Sequence, residues 1–305
     1  MRIIFMGTPD FAVASLDALI QSGEQVVAVV TVPDKPAGRG QKIHESAVKV
    51  YATQHHIPVL QPVKLRDEAF LAELKNYQAD LQVVVAFRML PEVVWNMPKH
   101  GTINVHASLL PQYRGAAPIN HAIMNGEQES GVTTFLLQHE IDTGNILLAE
   151  KVTINETDTA GDLHDNLMVA GARTLLQTIQ QLKEGNLQPK SQDDILPTET
   201  LKHAPKIFKE DCKINWDQST NVVYNFIRGL SPYPTAFTVL NDKVLKIYKT
   251  EKEQTATTAT PGTIETDQKS YLRFATQDGY IMVSELQLEG KKKMNVVDFL
   301  KGYRF

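Results

Sequence analysis

Short β-branched runs alternate with helical periodicity through the first 185 residues, and that alternation leaves few folds open to the chain. The runs at 2–6, 25–31 (QVVAVVT), 81–87 (LQVVVAF), 102–105 and 132–137 are too short for buried helices. They are apolar enough to be covered on both faces, as the strands of a parallel sheet are. Helix-like stretches separate most of them, among them 9–20 with Phe11, Leu16, Leu19 and Ile20, and 46–55. A long one follows over 158–183, with Leu163, Leu167, Leu175, Ile179 and Leu182 on one face. The pattern predicts an α/β fold whose N-terminal part is a doubly wound, mostly parallel, Rossmann-like sheet. Its crossovers are right-handed and its ligands sit at the carboxyl ends of the strands.

Beyond Gly185 the chain turns polar and proline-punctuated, and its character changes again after about 205. One helical stretch at 220–228 precedes short strand-like segments at 235–240, 244–249, 262–266, 271–275 and 280–288. Turn signals at Asn241-Asp242, Pro261-Gly262 and Asp278-Gly279 separate several of them. Such a series predicts a small β-barrel domain. The expected organisation is one domain over 1–188, a linker over 189–206 and a second domain over 207–305.

The chain has a single cysteine, Cys212, which excludes an intrachain disulfide and a multi-cysteine zinc site. The N-terminal apolar run is too short for a signal-peptide core, and no stretch approaches the roughly 20 apolar residues of a membrane span. A cytoplasmic protein is expected. The net charge of −4 argues against a nucleic-acid partner only until it is divided. Residues 206–305 hold 15 basic and 12 acidic side chains, so the excess of acid lies wholly in the first 205 residues. Lys291-Lys292-Lys293 adds a basic run that permits an anionic partner, although such runs are commonly just solvated.

Several chemistries lack their signatures. The first strand-to-helix turn, Gly7-Thr8-Pro9-Asp10, has one of the three glycines of a dinucleotide fingerprint. No P-loop follows Gly38-Arg39-Gly40, and His139-Glu140 lacks the second histidine of a zinc-protease helix. The informative residues are Asn104 and His106, two apart at a strand's carboxyl end and therefore on one face. Asp142, in the loop Ile141-Asp142-Thr143-Gly144, can reach the same edge of the sheet. Taken singly, Asn-x-His reads equally as a capped strand end, and Asp-Thr-Gly as an ordinary turn. Together an amide, an imidazole and a carboxylate suit acyl transfer: an oxyanion donor, a proton carrier and a group that orients it. A Ser–His hydrolase built on Ser108 competes for the same residues, without the G-x-S-x-G elbow such enzymes use.

The run NVHASLLPQYRGAAPI at 104–119, with Gly131-Val132-Thr133 and Asp142-Thr143-Gly144, resembles the 10-formyltetrahydrofolate-dependent formyltransferases. The two-part layout, with Ile214-Asn215-Trp216 and Arg228-Gly229-Leu230-Ser231-Pro232-Tyr233-Pro234, is similar to the branch acting on methionyl-tRNA, over essentially the whole chain. The resemblance implies that 1–188 is the catalytic domain, that the barrel over 207–305 is OB-like, and that Asn104, His106 and Asp142 carry out formyl transfer. It implies folate contacts at Phe87, Arg88, Met89, Leu90, Ser108, Leu109, Leu110 and Pro111. Many members read Ala-Tyr-Gly where this chain has Ala86-Phe87-Arg88, in a loop one residue shorter. The loop PDKPAGRGQK at 33–42 is similar to that branch's tRNA-facing insertion, so Lys35, Arg39 and Lys42 are expected to contact tRNA. The implied partners are initiator Met-tRNA and 10-formyltetrahydrofolate as co-substrate. No metal, no membrane and no obligate protein partner are implied, and a monomer is expected. An amino-sugar-nucleotide acceptor, or a binding module with a silent site, are the other readings.

Overall fold

The structure is a computed structural model that describes residues 1–37, 42–195 and 200–304. The chain divides into two compact units. The first comprises 1–115, 131–152 and 164–202; the second comprises 116–130, 153–163 and 203–305.

The first unit is built on a seven-stranded sheet of β1 (Arg2–Gly7), β2 (Gln25–Val30), β3 (Val59–Leu60), β4 (Leu81–Val85), β5 (Thr102–His106), β6 (Glu129–Leu136) and β7 (Ile146–Thr153). Their spatial order is β7-β6-β5-β4-β1-β2-β3. The strands from β3 through β5 are parallel, and β6 runs antiparallel to β5. The chain winds outward from β1 to β3 and then returns to β4 on the other side of β1. In open α/β sheets ligands bind outside the strands' carboxyl ends at such a switch point.

Helices cover both faces. Helix α1 (Asp10–Gln21) starts directly after Pro9, and α2 (Ala47–Gln54) is capped by Ser46, whose hydroxyl accepts from Lys49 N. Both lie with the long α5 (Ala160–Glu184): the Phe11 ring meets His164 edge-on, and Tyr51 on α2 donates to Asp17 on α1. On the opposite face α3 (Glu68–Asn76) and α4 (Glu92–Trp95) bury Phe70, Leu74 and Val94 against Ile4, Met6, Val30 and Val84.

Strands β3 and β7 were not anticipated from sequence. The run expected to be a linker also differs. Lys190 exchanges both backbone hydrogen bonds with Ile146, and Gln192 is buried, so this stretch is bound into the first unit.

The second unit holds the OB-like sheet: β8 (Ala236–Leu240), β9 (Lys243–Glu253), β10 (Ile264–Thr266), β11 (Leu272–Ala275), β12 (Tyr280–Leu288) and β13 (Met294–Asn295). The order is β8-β9-β12-β11-β10, with β13 on β12, and every described pairing is antiparallel. Register shifts around Lys249 bend β9, which lets the sheet curl as an open half-barrel. Its concave face closes on α6 (Thr220–Gly229), which buries Val223, Tyr224 and Ile227, and on a stacked Trp216–Phe274 pair 4.4 Å apart.

Candidate active site

The site face is set by strand alternation. Val105 points toward α5, where a Cβ added at Gly171 would lie 3.2 Å from it. Asn104 and His106 therefore project from the other face, the one shared with α3 and α4. Their neighbours follow from the register: Asn104 lies beside Val84 and Phe135, and His106 opposite Thr133.

His106 is buried, with its ring edge-on to Phe135. Its Nε2 lies 3.0 Å from the backbone carbonyl of Tyr113. A carbonyl only accepts, so Nε2 carries the proton and Nδ1 is the nitrogen with the free lone pair. Nδ1 faces Asp142 Oδ2 at 4.0 Å, too far for a hydrogen bond but close enough for the carboxylate to balance charge on the ring. The Asp142 carboxylate is itself fixed by the Gly115 amide, which donates to Oδ2 at 3.0 Å. Asn104 is half-buried, and its side-chain amide has no hydrogen-bond partner among the described residues.

The loops around these groups hold their shape through unusual backbone. Ala86, Tyr113 and Asp142, one in each of the loops after β4, β5 and β6, adopt left-handed φ of 47°, 60° and 55°. Non-glycine residues rarely do so, and such positions gather where a site's geometry is over-determined. Gly144 is required for a different reason: a Cβ there would lie 1.7 Å from the Leu136 carbonyl oxygen.

The other expected contacts divide. Ser108 is fully buried and its hydroxyl donates to the Gln112 carbonyl at 2.7 Å, while His106 is engaged elsewhere. That arrangement disfavours a Ser–His nucleophile and leaves Ser108 no side-chain atom for a ligand. Its turn is fastened by Thr133, which donates to Ser108 O and accepts from Leu110 N. Leu110, Pro111 and Leu90 are buried, and Leu109 is half-buried. Met89 is exposed. The Arg88 guanidinium donates to the carbonyls of Pro62 and Val63 and lies over the Phe87 ring, and burial pushes its pKa down.

Lys35 sits in a small antiparallel hairpin, Lys35–Ala37 against Lys42–His44, with Lys35 and Ile43 exposed. Lys42 lies on its second strand, and Arg39 lies outside the described residues. Among the described residues there is no group of three or more His, Cys, Asp or Glu able to hold a metal ion. No described helix is long and apolar enough to cross a membrane.

Comparison with known proteins decides the family. The formyl transferase model matches residues 1–179, and the model of the formyl transferase C-terminal domain matches residues 206–304. The chain belongs to the formyltransferase family. The methionyl-tRNA formyltransferase of Bacteroides fragilis is 52% identical over 308 residues, 99% of this chain and 95% of that protein. The methionyl-tRNA formyltransferase of Azobacteroides pseudotrichonymphae is 56% identical over 309 residues, again 99% and 95%. In structure, the N-formyltransferase from Helicobacter canadensis, solved with folinic acid and dTDP-3-aminofucose, matches at a TM-score of 0.67 and 22% identity. The match covers 96% of this chain and 99% of that one. That likeness is one of fold.

In this formyltransferase, sequence reasoning overlooked four residues around the Asn104, His106 and Asp142 cluster, Gly115 with its amide on Asp142 Oδ2 among them. Tyr113 supplies the carbonyl that anchors the imidazole, and only its backbone acts, so no side-chain pattern reveals it. Arg114 and Gln192 form a polar clamp beside Asp142. Gln192 lies in a polar run whose composition resembles a linker, which hid it.

Proposed function

We infer that the chain transfers the formyl group of 10-formyltetrahydrofolate to the α-amine of methionine on initiator tRNA. Full-length identity above 50% to methionyl-tRNA formyltransferases, over both parts of the chain, is the observation that carries this reading. The cluster geometry fits the chemistry. As the neutral amine attacks the formyl carbon, the free Asn104 amide donates to the oxygen that becomes negative. His106 accepts a proton at Nδ1, since Nε2 is held by Tyr113, and Asp142 compensates the charge the ring acquires. Collapse of the tetrahedral adduct releases the folate nitrogen, which takes up a proton.

The acceptor's RNA is read as meeting Lys35, Arg39 and Lys42 in the hairpin and the mildly basic second unit. Within that unit Lys293 is already paired with Glu285, and Lys252 with Glu156, which leaves less free positive charge than the sequence total suggests. The Phe87–Pro91 loop and the turn at 108–111 flank the cluster in sequence and are read as the folate side. A cytoplasmic monomer completes the reading.

One assay tests it. A labelled formyl donor is offered in parallel to Met-tRNA, glycinamide ribonucleotide and an amino-sugar nucleotide. Label is expected on Met-tRNA alone; transfer to either small acceptor with none to Met-tRNA overturns the assignment.

A further inference from the structure

We propose that Gln192 is a positioning residue for formyl transfer, acting through Asp142. Its side chain is 1% exposed, although it lies in a polar stretch with the composition of a linker. All of its hydrogen-bonding capacity is used on two loops of the site. Nε2 donates to the backbone carbonyls of Asp142, at 2.9 Å, and Gly144, at 2.8 Å. Oε1 accepts from Arg114 Nε at 3.0 Å and Nη2 at 2.6 Å. One amide thus joins the Asp142–Gly144 turn to Arg114.

The tie matters because of what adjoins Arg114. Tyr113, on one side, holds His106 Nε2 through its carbonyl, and Gly115, on the other, donates to Asp142 Oδ2. Both polar partners of the reacting pair therefore belong to the one short segment that Gln192 fastens. Tyr113 and Asp142 each hold a left-handed φ, so neither loop rests in its lowest backbone minimum without such support. The chemistry of the clamp is specific to an uncharged amide. A glutamate would keep the acceptor for Arg114 but face two carbonyl oxygens with no donor, and a leucine would leave all four partners unmet.

The proposal rests on the reading of Asn104, His106 and Asp142 as the reacting set, and the test separates the two. Purified Gln192→Leu, Gln192→Glu, Asp142→Asn and the double variant Asp142→Asn/Gln192→Leu are compared for kcat and for KM toward donor and Met-tRNA. Thermal melts and active-site titration correct each for folded fraction. Gln192→Leu is expected to lower kcat about tenfold to a hundredfold with both KM values near those of the parent, because misplacement of a reacting group acts on turnover. The double variant is expected to lose clearly less than the product of the two single losses, since the part of Gln192's effect that runs through Asp142 is already gone. Additive losses, or a parental kcat in Gln192→Leu alongside an inactive Asp142→Asn, overturn the proposal. An active Asp142→Asn instead overturns the underlying reading. If Gln192→Leu does not fold, Gln192→Glu and its double with Asp142→Asn decide by the same criterion.

Discussion

The imidazole of His106 is anchored through Nε2 to the backbone carbonyl of Tyr113, 3.0 Å away, so the ring presents Nδ1 as its only proton-accepting nitrogen. His106→Ala removes the proposed proton carrier. We expect turnover to fall by about 10²–10⁴-fold, the range for loss of a general acid–base group, as measured by formylation of Met-tRNA. A variant retaining parental turnover removes His106 from the reaction.

Asn104 makes the contrasting case, because its amide has no hydrogen-bond partner among the described residues. Asn104→Ala is expected to cost about 2.7–4 kcal/mol of activation free energy while leaving unfolding within about 0.5 kcal/mol of the parent. Equal losses of stability and activity in a paired melt and rate measurement point to a structural role instead.

Ser108 separates the two acyl-transfer schemes. Its buried hydroxyl donates to Gln112 O, so Ser108→Ala should lower stability by about 1–3 kcal/mol and change kcat only a few-fold. An inactive but fully folded variant restores the nucleophile scheme.

Gly144 tolerates no side chain, because a Cβ there would lie 1.7 Å from Leu136 O. Gly144→Ala is expected to destabilise by about 3 kcal/mol or more, since the obstructing atom is backbone and cannot step aside. Urea denaturation checks this through the shift in midpoint.

Asp278 gives the second unit a dependence on pH. The Thr220 amide at 2.6 Å and hydroxyl at 2.7 Å both donate to it and hold its carboxyl below the usual range. A lowered folded-state pKa contributes stability above the unfolded value, and that stability is lost as pH falls through the folded one. Asp278→Asn should therefore be less stable than the parent near pH 7, with the difference shrinking in acid. A gap that is constant with pH in parallel melts contradicts it.

Strands β1, β2, β4 and β5 were legible because burial on both faces writes itself as an unbroken apolar run. Strand β3 was not, since Val59 and Leu60 are too few to carry a period. Strand β7 mixes Leu147 and Leu148 with Glu150 and Lys151, as an edge strand half in water does. The candidate cluster was legible in Asn104, His106 and Asp142, side chains whose chemistry suits the proposed transfer. It was illegible in Tyr113 and Gly115, which contribute only main-chain groups, and in Gln192. A buried glutamine is spelled like an exposed one, and only its four hydrogen bonds reveal the difference.

The alternation along β5 has a consequence for how this chain can vary. Even-numbered Asn104 and His106 share the face of the candidate site, while odd-numbered Val105 faces the long helix. One residue gained or lost inside the strand would reverse that parity, sending polar groups into the apolar layer and a valine into the site. The turn at 96–101 before the strand can absorb a change in length by reshaping itself. Five residues of β5 cannot, so variation in this region is expected as substitution within the strand and as insertion only ahead of it.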